Sequence, residues 1–262
     1  MSEGNPLHVL YRLYERRLLR EIHDGPLPRH IGLILDGNRR FAQGRGFDNP
    51  LEGHRMGAQK LEEVLQWLTD LRIRVVTLYA LSNENLSRPA HELTGLLSLI
   101  EEKIRSMAVD PRIHQQQVRF RAVGQIHLLP ASLQEAIAIV ERATAQYDRN
   151  YLNIAVGYGG RQEITDAVRR LLTERAASRE SLSQIAEGLT AEEIGKYLST
   201  YDLPDPDLII RTSGELRLSG FLLWQSAYSE LYFCDTYWPG FRRIDLLRAI
   251  RSFQQRQRRY GK

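Results

Sequence analysis

Short apolar runs recur along this chain, and each is followed by a stretch with the apolar spacing of an amphipathic helix. This alternation constrains the fold more than any other sequence feature. The clearest run covers residues 31–35. Apolar runs without polar alternation are typical of strands buried on both faces of a parallel sheet. Because the alternation continues through all 262 residues without a linker or repeat, the sequence predicts one α/β domain with a mostly parallel sheet.

The spacing of apolar residues places the individual elements. Strands are predicted near residues 30–36, 75–80, 117–123, 152–156 and 205–211, with a last strand after 228. Helices are predicted over 5–22, 41–46, 51–71, 131–147 and 164–172, after Pro89, and from Ile244 onward. The polar stretch 174–183 is predicted to be a surface loop.

Polar and glycine-rich segments follow four of the predicted strands. The first is Asp36-Gly37-Asn38-Arg39-Arg40, and the others are 82–88, 157–161 and 211–219. Carboxyl ends of parallel strands lie on one edge of a sheet, where ligands bind. We therefore expect convergence of an acid with several arginines, namely Asp36, Arg40, Arg88, Arg211 and Arg217. Such a set suits a substrate with two or more phosphate groups and a divalent cation. A plain strand and turn with Asp36 as a helix cap remains the alternative.

Large apolar side chains flank these polar segments. Phe41 follows the first segment, and Leu81 and Leu86 flank the second. A phosphate site beside such side chains favours an amphiphilic substrate with a charged head and an apolar tail. Ordinary core packing of the three residues is the alternative.

Composition excludes several classes of protein. Cys234 is the single cysteine, so an internal disulfide is excluded and a cytoplasmic location is expected. No apolar run reaches the ~18 residues of a membrane span, and a signal peptide is not expected. The net charge of +4 does not by itself imply nucleic acid, and none is expected as a partner. The helix over 5–22 either packs on the domain or lies on a membrane surface, which leaves peripheral membrane contact open.

Several motifs, taken in order, resemble the cis-prenyltransferases of the undecaprenyl diphosphate synthase family. They begin with Asp36-Gly37-Asn38-Arg39-Arg40-Phe41-Ala42 and continue through Ser82-Asn83-Glu84-Asn85, Gly157-Tyr158-Gly159-Gly160-Arg161, Ile210-Arg211-Thr212-Ser213-Gly214-Glu215, Phe221-Leu222-Leu223-Trp224-Gln225 and Ser229-Glu230-Leu231-Tyr232. The resemblance implies a catalytic domain over 29–262 after an N-terminal helical extension, 1–28. It also implies a six-stranded sheet flanked by helices, a hydrophobic tunnel and a homodimer.

The same resemblance implies a reaction between an allylic diphosphate and isopentenyl diphosphate, with Mg2+ as cofactor. Asp36 would bind Mg2+ and assist departure of the allylic diphosphate, Asn85 would take part in proton removal, and Glu230 would be a second Mg2+ ligand. The implied binding residues are Gly37, Asn38, Arg39, Arg40 and Phe41 with His54; Ser82, Asn83, Glu84 and Arg88; Arg211, Arg217, Leu218 and Ser219; and Arg259 and Gly261 in a C-terminal arm that reaches the partner subunit.

Departures from the family pattern bear on product length. Long-chain members usually have tryptophan where this chain has Phe41, and phenylalanine and tryptophan in place of Leu81 and Leu86. The Arg39-Arg40 pair together with Leu81 resembles short-chain members, which predicts (2Z,6E)-farnesyl diphosphate as the product. A long-chain synthase that makes a lipid carrier for cell-wall sugars, and a non-catalytic subunit, are the alternatives.

Overall fold

The computed structural model describes residues 6–256, and its elements alternate as the sequence predicts. The strands are β1 His30–Ile34, β2 Val75–Ser82, β3 Val118–Val123, β4 Asn150–Tyr158, β5 Leu208–Arg211 and β6 Glu230–Phe233. The helices are α1 Pro6–Ile22, α2 Asn38–Gly44, α3 Pro50–Asp70, α4 Ala90–Met107, α5 Pro111–Gln115, α6 Ala131–Thr144, α7 Gly160–Ala177, α8 Leu182–Glu187, α9 Ala191–Gly195 and α10 Arg243–Gln255. Short 3-10 turns cover Glu84–Ser87, Ile126–Leu128 and Trp238–Gly240.

The strands form one six-stranded sheet in the order β3-β4-β2-β1-β5-β6. The pairs β1–β5, β5–β6 and β3–β4 are parallel, which confirms the predicted α/β fold. In register, Ile34 lies beside Arg211, and Arg211 lies beside Phe233. These residues therefore mark the carboxyl ends of three neighbouring strands.

The chain divides into two compact units. The terminal unit comprises the described parts of Met1–Val76 and Glu230–Lys262 together with Pro206–Leu216. The middle unit comprises Thr77–Asp205 and Arg217–Ser229. The predicted extent of the catalytic domain, 29–262, and the predicted tunnel stay predictions.

In the terminal unit, α1 packs against α10. Leu18 and Ile22 are buried. The Arg248 guanidinium donates to the Tyr14 hydroxyl at 3.2 Å, and Arg251 pairs with Glu21 at 3.0 Å. The structure thus has the packed arrangement of this helix, while Val9, Leu10 and Leu13 on its other face are exposed. Residues 6–256 contain no helix that is long and apolar enough to cross a membrane.

A tight contact fixes α2 on α3. A Cβ on Gly53 would lie 2.0 Å from the Asn38 carbonyl oxygen, so only glycine permits this approach. The Trp238 indole N–H donates to the Gly57 carbonyl at 2.8 Å, which ties the loop after β6 to α3. These contacts hold the first turn of α2 in place directly after β1.

Two predicted boundaries are wrong. The expected helix at 41–46 begins at Asn38, so the signature residues Asn38, Arg39 and Arg40 form its first turn. The expected loop at 174–183 is helical at both ends, because α7 continues to Ala177 and α8 begins at Leu182. Polar composition indicated exposure correctly, but Glu, Arg and Ala are also strong helix formers.

Candidate active site

Asp36 lies two residues beyond β1, at the start of a sharp turn. Gly37 has φ 99°, and a Cβ there would lie 2.6 Å from the Tyr237 ring. The Asp36 carbonyl accepts from the Trp238 backbone N–H at 3.0 Å. Glycine is needed at position 37 for both reasons, because an L side chain would be strained and would clash.

Two guanidinium groups face the Asp36 carboxylate. Arg211 Nη2 lies 2.8 Å from Oδ2, and Arg40 Nη2 lies 3.5 Å from Oδ1. The Gly37 N–H also donates to Oδ1 at 2.6 Å. Burial raises the pKa of Asp36, but the hydrogen bond and charge of Arg211 together with the hydrogen bonds of Ser213 and the Gly37 N–H outweigh it, and the pKa falls below its usual value. The carboxylate is therefore ionised at neutral pH.

Thr212 holds the Asp36 backbone from both sides. Its hydroxyl accepts from the Asp36 N–H at 3.0 Å and donates to the Asp36 carbonyl at 2.7 Å. The Thr212 side chain is buried. Thr212, which follows β5, thus fixes the backbone position of Asp36, which follows β1.

Arg40 is held by three neighbours. Its Nη2 donates to Ser213 Oγ at 2.8 Å, its Nη1 lies 3.3 Å from Glu215 Oε1, and its guanidinium carbon lies 5.3 Å from the centre of the Tyr237 ring. These contacts preorganise the cation beside Asp36. Arg39 on the same helical turn is exposed.

The donor set around Asp36 fits a magnesium ion shared with substrate. Mg2+ is commonly held by one or two carboxylates with substrate phosphates completing its coordination. Asp36 supplies one ionised carboxylate, and residues 6–256 contain no cluster of three or more His, Cys, Asp or Glu side chains that could hold a metal alone. Glu230 lies at the amino end of β6 beside Leu208, where Arg256 pairs with it at 2.7 Å. Its assignment as a second ligand stays a prediction.

In the middle unit, the segment after β2 arranges an amide and an arginine. Asn85 Oδ1 accepts from Arg88 Nε at 3.1 Å, and Arg88 Nη1 pairs with Glu92 at 2.9 Å. The Asn85 N–H donates to Ser82 Oγ at 3.2 Å. The Asn83 N–H donates to the Tyr158 carbonyl at 2.9 Å. The amide of Asn85 is therefore oriented by a guanidinium that is itself fixed by a carboxylate.

A second segment of the middle unit carries Arg217, Leu218 and Ser219. Arg217 and Ser219 are exposed, and Ser219 has φ 49°. Exposed polar groups on a backbone in a sparsely populated conformation are typical of ligand-binding segments.

The remaining predicted residues have varied surroundings. Phe41 lies under Arg45 at 4.9 Å, and His54 is partly exposed on α3. Glu84 is exposed, and Leu81 is buried. Arg259 and Gly261 lie outside the described residues.

The structure brings Asp36, Arg40 and Arg211 together within the terminal unit, as predicted for these three. Sequence reasoning missed Thr212 and Tyr237 as contributors. Thr212 had a usable signal, since it immediately follows a strand that ends in arginine. Tyr237 had none, because its position depends on how the loop after β6 folds back.

Comparisons with known proteins find relatives in sequence and in structure. The profile of the family described as "Putative undecaprenyl diphosphate synthase" matches residues 34–261. A tritrans,polycis-undecaprenyl-diphosphate synthase (geranylgeranyl-diphosphate specific) from Methanopyrus kandleri is 55% identical over 256 residues, which cover 98% of this chain and 93% of that protein. The (2Z,6E)-farnesyl diphosphate synthase of Thermobifida fusca is 52% identical over 252 residues, with 96% and 97% coverage. The crystal structure of lavandulyl diphosphate synthase from Lavandula x intermedia in complex with dimethylallyl diphosphate superposes with a TM-score of 0.82 at 31% identity, and covers 90% of this chain and 99% of that one.

Proposed function

Because this chain belongs to the cis-prenyltransferase family of undecaprenyl diphosphate synthase-like enzymes, we propose that it makes (2Z,6E)-farnesyl diphosphate from geranyl diphosphate and isopentenyl diphosphate. The observation that carries this proposal is the ionised Asp36 between Arg211 and Arg40, directly after β1. A carboxylate with two fixed cations suits a substrate that departs as diphosphate.

The chemistry asks the protein to stabilise a leaving group. The C–O bond of the allylic diphosphate breaks, and diphosphate leaves with the electron pair. The double bond of isopentenyl diphosphate forms the new C–C bond with the allylic carbon, and loss of a proton leaves the cis double bond. Arg40 is already held by Ser213 and Glu215, so little reorganisation is needed as negative charge develops on the diphosphate.

Asp36 is proposed as the magnesium-binding residue. Glu230 is proposed as a second magnesium ligand that acts at the amino end of β6, away from Asp36. When bound, Mg2+ would neutralise charge on the departing diphosphate. The lowered pKa of Asp36 supports its role, because a protonated carboxyl would be a poor ligand for a hard cation.

Asn85 is proposed to position the proton that is lost. A neutral amide is a poor base, so we expect Asn85 to orient the reacting carbon while a diphosphate oxygen takes the proton. Its amide is held by Arg88, which supports an orienting role. The family resemblance assigns the binding of isopentenyl diphosphate to Arg211, Arg217 and Ser219, and we keep this assignment as a proposal for each residue.

Leu81 is proposed to limit the product to fifteen carbons. Its side chain is buried near the carboxyl end of β2. Size alone does not set product length, because long-chain members usually have the larger phenylalanine at this position. The proposal is that replacing this leucine by a small residue would leave room for a longer apolar tail. The relative from Methanopyrus kandleri favours a second candidate, a long-chain synthase that starts from geranylgeranyl diphosphate.

The protein is further proposed to act as a homodimer in which Arg259 and Gly261 of one subunit contribute to the other subunit's site. Sedimentation velocity of the purified full chain tests this: a species of twice 30.3 kDa is expected, and a monomer would contradict it.

The decisive experiment is a product assay. Full-length protein is incubated with Mg2+, isopentenyl diphosphate and one of dimethylallyl, geranyl or geranylgeranyl diphosphate. Products are dephosphorylated and separated by chain length. A C15 product with one cis bond from geranyl diphosphate is expected, while a ladder to C50 or beyond would favour the long-chain candidate.

Two variants sharpen this assay. Asp36→Asn keeps the shape of the side chain but removes its charge, and should give only background product. Leu81→Ala should extend the product beyond C15. An unchanged product length in Leu81→Ala would contradict the proposed role of Leu81 without affecting the enzyme class.

A further inference from the structure

The segment after Arg217 has an unusual backbone. Ser219, Gly220 and Leu222 have φ values of 49°, 80° and 44°. Non-glycine residues avoid this region, so the surroundings must hold Ser219 and Leu222 there.

Tyr79 contacts this segment directly. Its hydroxyl lies 3.1 Å from the Ser219 carbonyl oxygen, to which it donates. Its ring stacks on Phe221, with 4.9 Å between ring centres and an interplanar angle of 17°. Tyr79 is buried, so it contacts the segment that contains Ser219 from the interior of the middle unit. The Gly160 N–H adds a backbone hydrogen bond to the Gly220 carbonyl at 2.9 Å.

Tyr158 supports Tyr79 in turn. The Tyr158 ring meets the rings of Tyr79 and Phe221 edge to face, at 6.0 Å and 6.3 Å. Its hydroxyl donates to the buried carboxylate of Glu163. Glu163 also accepts from the Ser199 N–H and from the Gln225 side chain. Burial, followed by the nearby Glu163 charge, raises the pKa of Tyr158, so its hydroxyl remains a donor.

The Tyr158 carbonyl lies close to both the Tyr79 hydroxyl and the segment that contains Asn83. The Tyr158 carbonyl oxygen accepts from the Asn83 N–H at 2.9 Å and lies 3.3 Å from the Tyr79 hydroxyl. The end of β4 is therefore bonded directly to the Asn83 segment, and it reaches the Ser219 segment only through the Tyr79 hydroxyl. Displacement of Tyr79 would remove this link to Ser219 but would leave the Asn83 hydrogen bond in place.

We propose that Tyr79 is a positioning residue that sets the backbone of the Arg217–Ser219 segment and thereby the affinity for isopentenyl diphosphate. The proposal rests on the proposed function, since it takes Arg217 and Ser219 as the groups that bind this substrate. Tyr79 acts through the Ser219 carbonyl and the Phe221 ring.

The test replaces one hydroxyl. Tyr79→Phe keeps the stacked ring and removes the donor to Ser219. Isothermal titration with isopentenyl diphosphate alone should show Kd raised about fivefold, as expected for loss of one hydrogen bond that orders the binding segment. In steady-state assays KM for isopentenyl diphosphate should rise similarly, while KM for geranyl diphosphate stays within about twofold.

Tyr147→Phe is the matched control. Its hydroxyl bonds to His114 at 2.9 Å, also in the middle unit but not on this segment. The control should leave Kd and both KM values unchanged. If Tyr79→Phe is unfolded by circular dichroism, Tyr158→Phe is measured instead, and a rise in Kd confined to isopentenyl diphosphate is again expected.

Three outcomes would count against the proposal. If wild-type protein binds isopentenyl diphosphate but Tyr79→Phe binds it equally well, the positioning role is wrong while the proposed function stands. Lower stability with unchanged Kd would make Tyr79 merely structural. If wild-type protein binds no isopentenyl diphosphate and forms no product, the proposed function fails and this inference fails with it.

Discussion

Thr212 offers a direct test of how Asp36 is held, because one buried hydroxyl contacts both of its backbone polar groups. Thr212→Val replaces the hydroxyl by a methyl group of nearly the same size. The substitution removes the hydrogen bonds to the Asp36 N–H and to the Asp36 carbonyl. It leaves the rest of the side chain in place, so packing is changed little.

The expected cost follows from the contacts. Two hydrogen bonds at a net ~0.5–1.5 kcal/mol each set a range of about 1–3 kcal/mol. The Asp36 N–H also lies 3.0 Å from the Ile34 carbonyl, and the Asp36 carbonyl also accepts from Trp238 at 3.0 Å. Because neither group is left without an acceptor or donor, we expect a loss of about 1.5 kcal/mol in the free energy of unfolding.

The substitution should also lower the turnover number. A small displacement of a reacting group costs large factors in rate, so kcat should fall about tenfold or more in Thr212→Val. Thr212→Ser is the matched control, because it keeps both hydrogen bonds and loses one methyl group, worth about 1 kcal/mol. Urea unfolding followed by circular dichroism gives the stability, and product formation at saturating substrates gives kcat. If Val and Ser variants have equal kcat, Thr212 does not position Asp36.

Three further predictions concern charge and surface. The pKa of Asp36 is lower in the folded protein than in the unfolded chain, so the ionised carboxylate stabilises the fold above the usual carboxyl pKa of about 4, and this stabilisation is lost as pH falls through the lowered value. The wild type should therefore lose more free energy of unfolding than Asp36→Asn between pH 5 and 2. Parallel plots of unfolding free energy against pH for the two proteins would contradict this. Glu230→Gln should lower the free energy of unfolding by less than about 1 kcal/mol, because the ion pair between Glu230 and Arg256 is partly exposed. The same variant should raise the Mg2+ concentration needed for half-maximal activity, whereas the control Arg256→Gln should not. If both variants need the same Mg2+ concentration, Glu230 is not a ligand. Leu10 lies on the exposed face of α1, and Leu10→Glu should reduce the fraction of protein that co-sediments with vesicles containing anionic lipid. If the wild-type protein stays in the supernatant, membrane contact through this face is excluded.

Helical and strand periodicity made most of the fold predictable. The strand at 30–36 and the helices at 5–22 and 51–71 agree with β1, α1 and α3 to within about two residues at each end. Such patterns are readable because the side-chain repeat of an element is a local property. Element ends were harder to predict, as α7 shows: it continues through Glu174 to Ala177 despite the polar sequence there.

In the candidate site, too, neighbours along the chain were predictable from the sequence, whereas contacts between distant residues were not. The sequence by itself determined that an acid, a glycine and an arginine follow the first strand, since Asp36, Gly37 and Arg40 are neighbours in the chain. Only the tertiary structure decided that Arg211, which is 175 residues away in sequence, pairs with Asp36. It also placed the Tyr79 hydroxyl on the Ser219 carbonyl, across 140 residues. The physical reason is that periodicity is a local property, whereas the partner of a charged or hydroxyl group depends on which strand ends the sheet topology brings side by side.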